Sequence, residues 1–242
     1  MQYKKIITSV HFNRPNYTCR CISHLESCLG IEDYLIIFLI EKSDYIPVIL
    51  RIINKSQLNK IIIINDKKLG CYQNANKIIK LAFGYDDSKY IIHVEDDVIL
   101  SIDALRMFEY CAEEFFNNKQ VVCVNAWNSR LHLPDKQELY QLAFRKYSSF
   151  LGTAFWKHKF PNEWLDQPRR LEGSDRLLTT IMKKYNMRAV YPMVGRSDHI
   201  GLNGGLHIDV YKGKLGKNHP GTIYWADNLI THNNGQFSYK KV

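Results

Sequence analysis

Short apolar runs alternate with amphipathic segments through the first half of the chain. "KKIITSVHF" (4–12), "DYLIIFLIE" (33–41), "KIIIIND" (60–66), "KYIIHVEDD" (89–97) and "QVVCVNAWN" (120–128) have strand length and are rich in β-branched residues. Between them, "RPNYTCRCISHLESCL" (14–29), "YIPVILRIIN" (45–54), "GCYQNANKIIKLAFGY" (70–85) and "SIDALRMFEYCAEEFFNN" (101–118) carry apolar positions at helical spacing. Pro15 suits a helix start, Ser101 an N-cap, and Asp103 the first turn of the helix that follows. Strands that are apolar throughout, separated by helices, predict an α/β fold with a mostly parallel sheet covered on both faces.

The alternation stops near residue 129. "YQLAFRKYSSFLGTAFW" (140–156) has the pattern of paired strands or of a strand and a loop, "GSDRLLTTIMKKYN" (173–186) that of a helix with Ser174 as N-cap, and "MRAVYPMV" (187–194) that of a short strand. From 195 the chain is rich in Gly, Asn and His and has no period, which suits a loop that orders over a ligand and equally an irregular tail. No repeat or disordered linker divides it, so the expectation is one domain, 1–242, with halves 1–128 and 129–242.

Composition narrows the partners. The apolar runs at 34–40 and 60–66 are far too short to span a bilayer. The six cysteines show no CxxC pair, and they are expected as free thiols of a cytosolic protein rather than a Cys19–Cys21 redox pair. A net charge of +9 suits phosphate-bearing ligands, nucleic acid or an anionic membrane surface. Lys and Arg are scattered rather than striped or interleaved with aromatics, which argues against a nucleic-acid-binding module.

The exceptional stretch is "YIIHVEDDVIL" (90–100), where Glu95, Asp96 and Asp97 end an otherwise apolar strand. Carboxylates crowded there repel one another and resist burial. In a parallel α/β sheet, ligands sit beyond the carboxyl ends of the strands, where Glu41 and Asp66 also fall. Hard divalent cations take such oxygen ligands together with substrate phosphates. Strand alternation predicts Asp97 facing the crevice with Glu95, and Asp96 reaching a sugar or ribose hydroxyl. The bland alternative is a solvated turn.

"HVEDDVIL" before a long helix resembles the acidic, DXD-like metal motif of GT-A glycosyltransferases, and among them the inverting N-acetylglucosaminyltransferase-I type. "TSVHFNRPNYTCRCISHL", "NDKKLGCYQNANKIIKLAF", "FLGTAFW" and "GSDRLLTTIMKKYNMRAVYPMVGRSDHIGLNGG" resemble further segments of that family, so the likeness touches most of the chain. It implies a Rossmann-like GT-A domain with a nucleotide-sugar-binding half (1–128) and an irregular acceptor-binding half (129–242). It also implies inverting transfer from a nucleotide-diphosphate sugar, UDP-sugar first, with Mn2+ or Mg2+ as cofactor. Asp175 is then the candidate base, with Glu172 its rival; Gly173–Ser174–Asp175 stands where the family has a Trp-Asp-Asp-Trp type element. The resemblance puts Glu41 against the base, His11 and Arg14 beside the nucleotide, and Asp66 and Asn76 on the ribose or sugar. It puts Arg196 and Ser197 on the diphosphate and makes His199, foremost among the late histidines 199, 207, 219 and 232, a metal ligand. Phe155, Trp156 and Trp164 are the candidate acceptor platform, since sugars pack their CH faces on rings.

The expected acceptor is a glycan or a lipid-linked hydroxyl, with peripheral membrane contact in the second case. The expected location is the cytoplasm of a bacterium, or of a host cell for a viral enzyme. A sugar-nucleotide nucleotidyltransferase is the enzyme rival, but "HFNRPNYT" lacks the glycines that a triphosphate-binding loop needs after the first strand.

Overall fold

The structure is a computed structural model that describes residues 4–85, 87–128, 140–167 and 173–201, with the backbone of 238–239. In the first half β1 (Lys5–His11), α1 (Pro15–Ser27), β2 (Tyr34–Ile40), α2 (Ile46–Lys55), β3 (Lys60–Ile64), α3 (Cys71–Phe83) and β4 (Tyr90–Glu95) alternate as expected. There follow β5 (Val98–Leu100), α4 (Ala104–Glu114), β6 (Val121–Asn125), β7 (Gln141–Arg145), β8 (Thr153–Trp156) and α5 (Asn162–Leu165). Last come α6 (Ser174–Lys184), β9 (Arg188–Pro192), β10 (Ser197–His199) and β11 (Ser238–Tyr239).

Nine strands form one sheet in the order β11-β7-β9-β6-β8-β4-β1-β2-β3. All seven residues of β2 are buried because both faces are covered. Ile36, Phe38 and Ile40 pack in the layer of α1, α2 and α4, whereas Leu35, Ile37 and Leu39 pack in the layer of α3, α5 and α6. This explains why the strand shows no two-residue period in sequence. From β1 the chain runs outward to β2 and β3, then returns to place β4 on the other side of β1, parallel to it. That reversal makes a crevice at the carboxyl ends of β1 and β4.

The second half departs from the expected parallel order. β8 runs antiparallel between β4 and β6. The segments 141–145 and 153–156 share the sheet but do not pair with each other, since β9, β6 and β8 fill the order between β7 and β4. All of β8 is buried, so its four residues, three of them apolar, satisfy two helix layers and two neighbouring strands at once. Beyond this sheet, β10 pairs antiparallel with β5, matching Ser197 to Leu100 and His199 to Val98. Gly152 (φ +75°) lets the turn before β8 lie against this pair, where a side chain would press on Leu100 and Ser197 at 3.2 Å.

Both expected serine caps are wrong. α4 begins at Ala104, and the Ser101 hydroxyl donates instead to Asp103 Oδ1 at 2.8 Å. Ser174 lies inside α6, and Gly173 holds the cap position. Pro15 does stand in the first turn of α1. All six cysteines are free thiols. Among the described residues no helix is long and apolar enough to cross a membrane.

Candidate functional site

The β1–β4 crevice collects the chemistry. Arg14, just beyond β1, reaches Asp96 with Nε (3.3 Å) and Nη2, and Asp97 Oδ2 with Nη1 at 2.7 Å. Burial and the neighbouring Asp97 and Asp96 charges push Glu95 up to about 8. Burial likewise raises Asp96 to about 6 against the pull of Arg14. For Asp97 burial acts upward too, but the His199 hydrogen bond and charge, with Arg14, outweigh it and hold the carboxyl below its ordinary value.

His199 arrives by way of the β5–β10 pair. The Ile200 amide donates to the Asp97 carbonyl at 2.8 Å, and His199 Nε2 lies 3.3 Å from Asp97 Oδ2. Asp97 Oδ1 is buried and has no hydrogen-bond partner among the described residues. Gly201 lines the same spot: a Cβ there would strike Asp97 Oδ2 and stand 2.8 Å from His199 Nε2. One carboxylate with an unmatched oxygen, one imidazole and a glycine that leaves room fit a divalent cation completed by substrate oxygens. Among the described residues no group of three or more His, Cys, Asp or Glu makes a full protein shell.

Asp175 stands exposed in the first turn of α6, its Oδ1 accepting the Arg176 amide at 2.8 Å. Its charge helps to raise both Glu95 and Cys71, so it lies beside the acidic cluster. Cys71 Sγ is 3.8 Å from Glu95 Oε1, and the Glu95 charge, followed by burial, raises the thiol far above its ordinary value. That keeps it protonated and a poor nucleophile. Glu172, with His207, His219 and His232, lies outside the described residues.

Other expected site residues have different occupations. His11 is fully buried between Ser9 (2.9 Å) and Thr18 (3.0 Å), and desolvation lowers it to about 3, so it does not line a nucleotide. Glu41 is an internal brace rather than a free reader of a base. Its oxygens accept the Leu69 and Gly70 amides at 2.6 and 2.8 Å and the Asn74 amide group, fixing the loop into α3. Asn76 points away, donating to the Leu165 carbonyl at 2.9 Å; Asn74, which the sequence reading passed over, faces the strand ends and bonds Asn65 at 2.6 Å. Asp66 is exposed just beyond β3.

Arg196 is sealed inside the fold, with Nε on Asp103 Oδ2 at 2.9 Å and Nη1 on the Val194 carbonyl at 2.7 Å. It is not available to a diphosphate. Ser197 donates to the Leu151 carbonyl at 2.6 Å. Asp96, gripped by Arg14, is not extended toward a sugar. Phe155, Trp156 and Trp164 are all core residues, so they offer no acceptor platform. β10 escaped the sequence reading because three polar residues in a Gly-rich stretch carry no strand period.

No family model and no curated protein matches the chain. Solved structures do. A mannosyltransferase from Pyrobaculum calidifontis, in complex with GDP-Man and Mn2+, superposes with a TM-score of 0.55 at 11% identity over 79% of this chain and 55% of that one. S. aureus TarS 1-349 gives 0.55 at 12% identity over 78% and 60%. TarS in complex with UDP gives 0.52 at 12% identity over 80% and 59%. This chain therefore spans somewhat over half the length of these structures. These likenesses support the GT-A fold and give no support to the narrower N-acetylglucosaminyltransferase-I type. With its covered, mostly parallel sheet and these neighbours, the chain has the Rossmann-like GT-A glycosyltransferase fold.

Proposed function

We propose that the protein is a metal-dependent glycosyltransferase that moves a sugar from a nucleotide-diphosphate donor to a hydroxyl acceptor, with inversion. The observation that carries this reading is the meeting of Asp97, His199 and Gly201 at the β1–β4 crevice, with Asp97 Oδ1 unmatched. Mn2+ or Mg2+ is the group those residues would hold. When bound, it supplies positive charge against a departing diphosphate. The Mn2+ and GDP-Man in one structural neighbour and the UDP in another support this assignment, and UDP is the first nucleotide to test.

The chain's own residues divide the remaining tasks. Arg14 holds Asp96 and Asp97 in place from the β1 side. Asp175, exposed beside the cluster, takes the proton of the attacking acceptor hydroxyl, with Glu172 as the rival base. Direct attack on the anomeric carbon from the face opposite the leaving diphosphate inverts its configuration.

Calorimetric titration of Mn2+ in the presence of UDP tests the site, comparing wild type with Asp97→Asn and His199→Ala. Each substitution is expected to weaken Mn2+ binding at least tenfold, which is about 1.4 kcal/mol. Mn2+ affinity equal to wild type in both variants would refute the metal role. Asp175→Asn is expected to keep donor binding and lose transfer by about 10²–10⁴-fold.

A further inference from the structure

A second charged feature lies in the opposite half of the sheet. Arg145, the last residue of β7, is 8% exposed, and no carboxylate among the described residues pairs with it. Its Nε and Nη2 reach Asn125 Oδ1 at 3.3 and 2.7 Å, and Nη2 also reaches Ser149 Oγ at 2.9 Å. Nη1 carries two further N–H groups, and among the described residues its one hydrogen-bond contact is a long 3.5 Å approach to the Tyr147 hydroxyl. A guanidinium that is nearly buried without a counter-ion is costly unless something compensates it.

Three rings stand around it. The guanidinium carbon lies 4.4 Å from the Tyr147 ring, 5.0 Å from Tyr191 and 5.9 Å from Trp127. Their faces attract a cation. Yet Tyr147 is 44% exposed, and Trp127 and Tyr191 are half-buried, so the shell opens to solvent instead of sealing the charge in. Exposed rings over a cation with spare N–H donors suit a ligand that joins apolar CH faces to an oxyanion.

The position connects this feature to the crevice. Asn125 is paired with Thr153, and Thr153 with His93. Directly opposed residues share a face of a sheet, and His93 shares its face with Glu95, two residues on. The Arg145 cluster and the acidic strand end therefore lie on one face. Arg145 itself stands on β7, four strands from β4, but its guanidinium reaches Asn125 on β6, from which β4 is two strand spacings away, about 10 Å. α6 borders both places: its Thr179 hydroxyl accepts the Ser148 amide at 3.1 Å, and its first turn carries Asp175.

We propose that Arg145, Tyr147, Tyr191 and Trp127 form an acceptor subsite for an acidic saccharide unit, one that bears a carboxylate or a phosphate. The subsite rests on the glycosyltransferase reading for its role, though not for its ability to bind. It makes the acceptor an anionic oligosaccharide whose charged unit sits about two strands from the reacting hydroxyl. The net charge of +9 draws such an acceptor toward the protein.

The test is saturation-transfer NMR with methyl glucuronide, glucose 6-phosphate, methyl glucoside and inorganic phosphate as probes, on the full chain without donor. At least one acidic sugar is expected to bind, at least tenfold more tightly than methyl glucoside or bare phosphate. Which acidic sugar it is separates a carboxylate-bearing from a phosphate-bearing acceptor. Arg145→Gln is expected to lose that binding by about tenfold or more, Tyr147→Ala, on the exposed ring, by several-fold with an unchanged melting temperature, and Trp127→Ala, on a half-buried ring, by several-fold. Equal binding of neutral and acidic sugars, no binding of either acidic sugar, or undiminished binding in the ring variants would overturn the subsite. UDP and Mn2+ binding, measured on the same samples, reports on the donor site separately. Loss of the donor reading with acidic-sugar binding intact, or the reverse, thus tells the two claims apart.

Discussion

Two arginine–aspartate pairs flank the same short strand, β5, and they differ in what surrounds them. Before it, Arg14 holds Asp96 and Asp97, with the arginine side chain 21% exposed. After it, Arg196 holds Asp103 with its side chain only 1% exposed. The second pair is closed. Asp103 takes the Ser101 hydroxyl on its other oxygen, and Arg196 spends a further N–H on the Val194 carbonyl. The first is open, because Asp97 keeps an unmatched buried oxygen and has His199 beside it. Equal chemistry thus serves two ends: where every donor and acceptor is matched, the pair fastens the β5–β10 ribbon, and where one is left over, another cation can enter.

The largest expected effect comes from the closed pair. Arg196→Ala leaves the Asp103 charge buried without its counter-ion, and should cost about 3–5 kcal/mol in urea denaturation, the same with and without Mn2+. A loss below about 1 kcal/mol would erase the distinction between the pairs. Arg14→Ala comes next. Without metal it should cost about 1–3 kcal/mol, since two acids lose a charged partner. Saturating Mn2+ should recover much of that loss, because the folded variant binds the metal more tightly than wild type once Arg14 no longer competes for Asp97. If Mn2+ does not narrow the gap between Arg14→Ala and wild type, the crevice is not exchangeable.

A smaller effect isolates the metal pair from the arginine. Gly201→Ala drives a methyl onto Asp97 and His199, and should weaken Mn2+ binding by about tenfold, or about 1.4 kcal/mol, with little change in the melting temperature. Unaltered Mn2+ affinity in this variant would remove Gly201 from the site. A last, pH-dependent effect belongs to the closed interior. Burial lowers His11 to about 3 and His93 to about 4, below the ordinary value near 6.5. Between those values the unfolded chain binds more protons than the folded one. Stability is therefore complete above about pH 6.5 and falls as the pH drops toward 4, by at most about 1.4 kcal/mol per pH unit for each histidine. Denaturation curves at pH 7 and pH 5 should show a shallower acid loss in His93→Gln than in wild type.

The halves of the chain were unequally legible. In the first half each apolar run is one strand and each amphipathic run one helix, because each element's burial is set within its own run whichever strand lies beside it. The acid cluster stood out for the same reason, as charge at the end of a strand that is otherwise buried. In the second half β8 enters between β4 and β6, and nothing in "GTAFW" states its direction. Local pattern also left orientation open. Asn74 and Asn76 lie two positions apart in α3 and face different partners, Glu41 and the Leu165 carbonyl. Phe155, Trp156 and Trp164 had the composition of a sugar platform, and the structure put them in the core. Arg145, unremarkable in sequence, became a nearly buried cation beneath exposed rings.

By itself the sequence determined the alternation of strands and helices, the covering of the sheet on both faces and the gathering of acids at one rim. Burial and period are properties of a run of neighbouring residues, and so they are written locally. Only the tertiary structure decided which acids are free, which arginine is exchangeable, and that His199 meets Asp97 across 102 positions of chain. Those facts depend on pairings between distant strands, where a single register, His199 against Val98, sets which side chains touch.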